Sequence, residues 1–198
     1  MTDIKLFSTP IFVGKSFYAD IDNILSESDF MSFLEKNRVW NCDVETSFFN
    51  NDRVLSESSE KLKIAISETL FPFVANYISP LFVGGNSFGI ELKDFWVNKY
   101  VEKAFQEQHS HADSTVSFVY MHKTTESHSV LRFHNQNTYI LDDLAYRNGV
   151  QFSFVHQDFN LSQGEFIIFP SFLDHSVVPK NAEGERITLS GNIRIHVV

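Results

Sequence analysis

Between Ser58 and Tyr77, Leu62, Ile66, Leu70 and Val74 return at intervals of one helical turn, and Ile64, Phe71 and Ile78 widen the apolar stripe. This period predicts a helix packed against a sheet. Pro72 falls inside it, so the pattern implies a kink there or a first helix ending near Leu70. A shorter helical pattern covers Asp29 to Lys36, and the opening "LFSTPIFVGKSF" alternates loosely, as a strand does. From Gly84 onward the period shortens to two. "FGIELKDFWVNKY", "TVSFVYMHK", "VLRFH", "VQFSFVH", "EFIIFP", "HSVVP" and "RITLSGNIRIHVV" are candidate strands separated by polar turns. Such spacing predicts a sandwich or small barrel, mainly β, with the earlier helices bracing its outside. No repeat, low-complexity tract or Pro/Gly-rich linker divides the chain. We therefore expect a single domain over 1–198, with a helical bracing region at about 20–80 and a β core at about 84–198.

The last strand alternates most sharply. Ile187, Leu189, Gly191, Ile193 and Ile195 take one face, and Arg186, Thr188, Ser190, Asn192 and Arg194 take the other. A polar stripe of this kind either faces water or lines a polar cavity inside a barrel. The segment "HSVVPKNAEGERITLSGNIRI" reads as a hairpin with its turn near Lys180 and Asn181, which sets His175 roughly opposite Arg186. In a cavity, Arg186 becomes a carboxylate clamp, because a guanidinium grips a carboxylate with two parallel hydrogen bonds.

Composition narrows the partners. Hydrophobic residues make up 43% of the 198 positions and include 21 phenylalanines, ample for a core. A formal net charge of −9 opposes a phosphate backbone, so nucleic acid is not expected as a partner. No run of about 18 apolar residues suggests a membrane span, and "MTDIKLFSTP" lacks the features of a signal peptide. The expected location is cytoplasmic, meaning the host cytoplasm for a viral chain. Cys42 is the only cysteine, consistent with a reducing compartment, and reads as a small core residue.

Within "QHSHADS", His109, His111 and Asp113 share one parity and so one face of an extended strand. Positions 109 and 113 lie ~13 Å apart in such a strand, too far to bind one ion, whereas neighbours two apart are ~6.6 Å from each other. The ligating pair is therefore 109/111 or 111/113, completed by a ligand from elsewhere. Of the remaining histidines, His122, His128, His134, His156 and His196 fall in or beside polar stretches or near the chain end, where exposed imidazole is ordinary. His175 instead stands between the apolar runs "GEFIIFPSFLD" and "SVVP".

Taken together, "HSHADSTVSFVYM", "GEFIIFPSFLDHSVVP" and "ERITLSGN" resemble the Fe(II)/2-oxoglutarate-dependent oxygenases. More narrowly they resemble a 2-oxoglutarate/iron oxygenase family of marine bacteria and phages, and more distantly the prolyl hydroxylases. The likeness runs loosely from Phe95 to the C-terminus. It implies a double-stranded β-helix, or jelly-roll barrel, with iron near its open end. It also implies that His175 is the distal iron ligand and that Arg186 binds the far carboxylate of 2-oxoglutarate, with Ser190 and Tyr120 adding contacts. The superfamily's His-x-Asp pair matches His111 and Asp113, whereas the narrower family's His-x-His matches His109 and His111. The favoured set is His109, His111 and His175, with Asp113 orienting an imidazole through its second N–H. Three neutral imidazoles leave Fe(II) its full double charge, which suits a dianionic co-substrate. The implied reaction hydroxylates a small-molecule or peptide substrate and releases succinate and CO2. The segment His122 to Asp143 is expected to overlie the site and shape selectivity.

Two other readings fit parts of the pattern. His-x-His-x-Asp opens the motif of binuclear zinc hydrolases, but position 114, where that motif continues with His, is Ser. A jelly-roll binding module without catalysis is the other.

Overall fold

The structure, a computed structural model, describes residues 9–15, 20–27, 29–37, 39, 42, 44–50, 57–81, 87–125, 128, 130–135, 146–147, 149, 156–179 and 184–197. In chain order these form β1 (Phe12–Lys15), α1 (Asp20–Glu27), β2 (Glu35–Lys36), β3 (Glu45–Thr46), α2 (Glu57–Ile78), β4 (Phe88–Val101), β5 (Gln106–His109), β6 (Val116–Lys123), β7 (Val130–His134), β8 (His156–Phe159), β9 (Glu165–Pro170), β10 (His175–Val178) and β11 (Glu185–Val197). The strands make two antiparallel sheets. The larger runs β1-β9-β6-β11-β4-β3-β2 and the smaller β5-β10-β7-β8. From β4 to β11 the chain crosses between the two sheets at every step except β7 to β8, and facing sheets connected in this way form the jelly-roll barrel expected from the resemblance.

The alternation of β11 explains how the layers stack. Ile187, Leu189 and Ile193 join Val97, Phe118, Tyr120, Phe166 and Ile168 on the outer face of the large sheet, where α1 and α2 cover them. α2 contributes Leu62, Ile66, Leu70, Val74 and Ile78, the helical stripe read from the sequence. The opposite face, with Val119, Met121, Ile167 and Phe169, packs against Leu131 and Phe133 of the small sheet. Here the polar face of β11 turns into the barrel. Arg186, Thr188, Ser190 and Asn192 are all buried.

Several expectations are corrected. Of the two alternatives at Pro72, a helix end near Leu70 is excluded: α2 continues through Pro72, because Pro72 and Glu68, whose carbonyl loses its helical N–H partner, both lie on the exposed side. The Asp29–Lys36 pattern is a 3-10 turn, Asp29–Phe33, followed by β2, in place of the expected α-helix. β10 and β11 are not a hairpin. β10 pairs with β5 and β7 while β11 pairs with β4 and β6, so the connection crosses from one sheet to the other. Its expected turn at Lys180 and Asn181 lies outside the described residues. Of the expected strand "VQFSFVH" only His156 is described, and it begins β8 instead of ending a strand. Of the loop expected over the site, His122 to Asp143, residues 126–127, 129 and 136–143 are also outside them, while Val130–His134 is β7 of the small sheet. No helix among the described residues is long and apolar enough to cross a membrane.

Candidate metal centre

Strand pairing sets the first two histidines side by side. In the antiparallel pair β5–β10, His109 and His175 are direct partners, so their side chains leave the same face of the small sheet. His111 lies two residues past the end of β5, and its N–H is held by the Ser171 carbonyl at 2.8 Å. That anchor brings its ring to the same place. One ring nitrogen from each of His109, His111 and His175 falls within 4.8 Å of the others.

Backbone carbonyls choose the tautomers. His109 Nδ1 donates to Glu107 O at 2.8 Å and His175 Nδ1 to Leu173 O at 2.9 Å, which leaves each Nε2 with its lone pair turned inward. His111 Nε2 lies 3.3 Å from His175 Nε2. Imidazole nitrogens each about 2.1 Å from one ion sit roughly 3–3.5 Å apart, so this spacing suits a shared metal. Burial lowers the pKa of all three rings: that of His111 falls to about 4, and that of His175 falls well below the ordinary histidine range with the other two imidazoles reinforcing the shift. All three are neutral donors near pH 7. The donor set therefore fits a divalent transition metal.

Asp113 is elsewhere. The chain turns at Ala112–Asp113, where Asp113 takes a φ of 60°, and its side chain is 76% exposed. It pairs with Arg194 at 2.7 Å and Lys93 at 3.5 Å. The same-face argument fails at this residue because the strand has already ended. Backbone carbonyls, not Asp113, orient His109 and His175, and the Asp113 carboxylate lies on Arg194 and Lys93.

Arg186 forms the opposite wall. It is 1% exposed, and its guanidinium carbon stands 4.8 Å from the Tyr100 ring centroid. Its Nε and Nη1 find no hydrogen-bond partner. Arg186, Thr188, Ser190, Asn98, Tyr100, Gln106 and the three histidines line one chamber, and no carboxylate is among its described lining residues. A buried cation left with unmade hydrogen bonds is strongly unfavourable, so the chamber is built for an anion. Ser190 faces it as expected.

Tyr120 does not, and this corrects the reading of its role. It is 1% exposed in the layer beneath α1 and α2, and burial followed by the nearby Asp22 carboxylate raises its pKa. The tyrosine in the chamber is Tyr100, which burial pushes up to about 12 against the pull of Arg186. Sequence reasoning missed it, although the signal was there. Trp96, Asn98 and Tyr100 share a parity on β4 and pair directly with Ser190, Thr188 and Arg186 on β11. Gly191, next along β11, has no room for a side chain: a Cβ would sit 2.6 Å from the Phe118 ring and 2.7 Å from Asp94 O. Three of the other five histidines make side-chain contacts: His122 with Asp22 at 2.7 Å, His134 with Ser176 at 2.9 Å and His196 with Glu91 at 2.6 Å. His128 is buried, contrary to the exposure expected for it.

A double-stranded β-helix with three neutral imidazoles facing a buried arginine defines a non-haem metal protein that accepts an anionic ligand. A family model described as "Putative 2OG-Fe(II) oxygenase" matches residues 94–192, half of the chain and the whole of this chamber. The chain belongs to that family and is an Fe(II)- and 2-oxoglutarate-dependent dioxygenase. Solved structures share the fold at low identity. A prolyl-4-hydroxylase from Pseudomonas putida has a TM-score of 0.60 at 18% identity, covering 94% of this chain and 93% of that one. HygX from Streptomyces hygroscopicus, solved with nickel and 2-oxoglutarate, has a TM-score of 0.63 at 12% identity, covering 94% and 83%. Another HygX structure also contains hygromycin B. No curated protein sequence matches the chain.

Proposed function

We propose that His109, His111 and His175 hold the iron, that Arg186 binds the distal carboxylate of 2-oxoglutarate with help from Tyr100 and Ser190, and that the enzyme hydroxylates a small molecule. The observation that carries this assignment is the buried, under-bonded Arg186 in a chamber that three clustered imidazoles also line, two of them with lone pairs turned inward. Iron supplies the oxidative chemistry when bound. The protein's residues position and enclose: Arg186 fixes one end of a dicarboxylate, and Phe169, Leu131 and Val177 keep water from its length. A second cleft of about 150 Å³, walled by Phe48, Trp96, Glu107 and Ser110, opens beside His109 and His111 and offers the prime substrate a way to the metal. The binding of hygromycin B by the similarly folded HygX supports a small molecule there.

The test is anaerobic binding of labelled 2-oxoglutarate to iron-loaded protein, followed by succinate release on admitting oxygen. Arg186→Lys is expected to weaken 2-oxoglutarate binding about 10- to 100-fold with metal content unchanged, because a point charge cannot replace the two-pronged grip. Wild-type protein that binds iron but no 2-oxoglutarate would refute the assignment.

A further inference from the structure

Gln106 joins the two ends of the chamber. Its side-chain oxygen accepts the Tyr100 hydroxyl at 2.7 Å, and Tyr100 in turn stands against Arg186. That bond fixes which way the amide points. Its NH2 group faces inward, 3.4 Å from His109 Nε2. Since His109 Nδ1 carries the proton given to Glu107 O, Nε2 is the acceptor of this long hydrogen bond. A metal ligand nitrogen has one lone pair. Once a metal takes it, the Gln106 amide loses its acceptor while Tyr100 still holds the side chain in place. A donor so held beside the metal must find another acceptor or stay unsatisfied in a largely buried site.

We propose that Gln106 is a co-substrate-binding residue whose amide N–H, released from His109 when the metal binds, donates to the metal-side oxygens of the 2-oxo acid. Gln106 then serves the end of the ligand opposite Arg186, and Tyr100 connects the two grips. This rests on the assignment of the three histidines and Arg186 above, and it adds a residue that neither spacing nor motif singled out. It also supplies the chamber with a neutral donor for negative charge close to an ion whose ligands are all uncharged.

The test compares wild type, Gln106→Leu, Tyr100→Phe and Arg186→Lys as anaerobic cobalt(II)-loaded proteins. Three readouts are needed: the cobalt dissociation constant alone, that of 2-oxoglutarate, and that of pyruvate, a 2-oxo acid with no distal carboxylate. For Gln106→Leu we expect cobalt affinity equal to wild type or a few-fold tighter, and 2-oxoglutarate and pyruvate both weakened by about tenfold, the worth of one hydrogen bond to an anion. Tyr100→Phe, which frees the amide without removing it, should weaken pyruvate by a smaller factor. Arg186→Lys should weaken 2-oxoglutarate and leave pyruvate unchanged. Unaltered pyruvate binding in Gln106→Leu overturns the proposal, and so does a loss of cobalt affinity parallel to the loss of ligand, which marks a structural role in β5. Failure of the wild-type holoprotein to bind either acid refutes the underlying assignment instead.

Discussion

His109 and Asp113 stand four residues apart, yet only one of them has a backbone that aims it at the site. His109 is the last residue of β5, paired with His175 and held by Glu107 O, whereas Asp113 sits in a left-handed turn with its carboxylate on Arg194. Alanine at the two positions should therefore separate cleanly. His109→Ala is expected to reduce iron or cobalt affinity by at least about 100-fold, and Asp113→Ala by less than about threefold, its loss being the exposed ion pairs with Arg194 and Lys93. Equilibrium dialysis against a competing chelator reads both, and a large metal loss in Asp113→Ala would make that carboxylate a ligand after all. At this scale the sequence was legible where side-chain parity applied. Spacing narrowed the ligand pair to His109/His111 or His111/Asp113, and the polar stripe of β11 was visible as a pattern. Asp113 was ambiguous because parity assumes a continuing strand, and the turn that ends β5 has no Gly or Pro to announce it. Tyr120 was misplaced for a related reason: a motif gives position along a strand, while pairing with Leu189 puts it on the helix side of the sheet.

Among elements, β11 connects fold and site. It lies between β4 and β6 at the middle of the large sheet, and the residue before Arg186 ties the three strands together on their exposed edge. Glu185 bonds Lys99 of β4 and Lys123 of β6, each at 2.9 Å. Those hydrogen bonds hold its carboxyl below its ordinary value of 4.5. A carboxyl lowered in the folded state stabilises the fold above its unfolded pKa, and that stabilisation is lost as pH falls through the folded pKa. Glu185→Gln should thus cost about 0.5–1 kcal/mol at pH 7, modest because the group is about one-third exposed, with the difference from wild type vanishing in acid below the carboxylate range. Denaturant unfolding of both proteins across that pH interval measures it; a difference that persists undiminished in acid would assign the effect to packing. Long elements such as α2, β4 and β11 were readable because many positions repeat their period. β2, β3 and β5 were not, being two to four residues long. The false hairpin after His175 arose because a turn-rich linker reads alike whether the next strand returns beside the first or crosses to the facing sheet.

In the whole molecule the site spans both sheets. His109 and His175 belong to the small sheet, His111 hangs from Ser171 beyond β9, and Arg186 belongs to the large sheet. A ligand held by metal at one end and by Arg186 at the other therefore fastens the two layers of the barrel together. Without it, the large sheet keeps bare guanidinium N–H groups, and the inward ring nitrogens of the small sheet have only long contacts, 3.4 Å from His109 to Gln106 and 3.3 Å from His175 to His111. Binding to the folded state alone stabilises by about 2.7 kcal/mol at a ligand concentration 100 times Kd. For a chain of this size that corresponds to a rise in Tm of roughly 5–10 °C. Because the ligand needs both grips, the rise with metal and 2-oxoglutarate together should exceed the sum of the rises with either alone, and Arg186→Lys should remove that excess while preserving the metal's own effect. Thermal melts of the four ligand states under anaerobic conditions give the comparison. Equal 2-oxoglutarate shifts with and without metal would mean that the anion at Arg186 never reaches the three histidines, and that the two halves of the chamber act as separate sites.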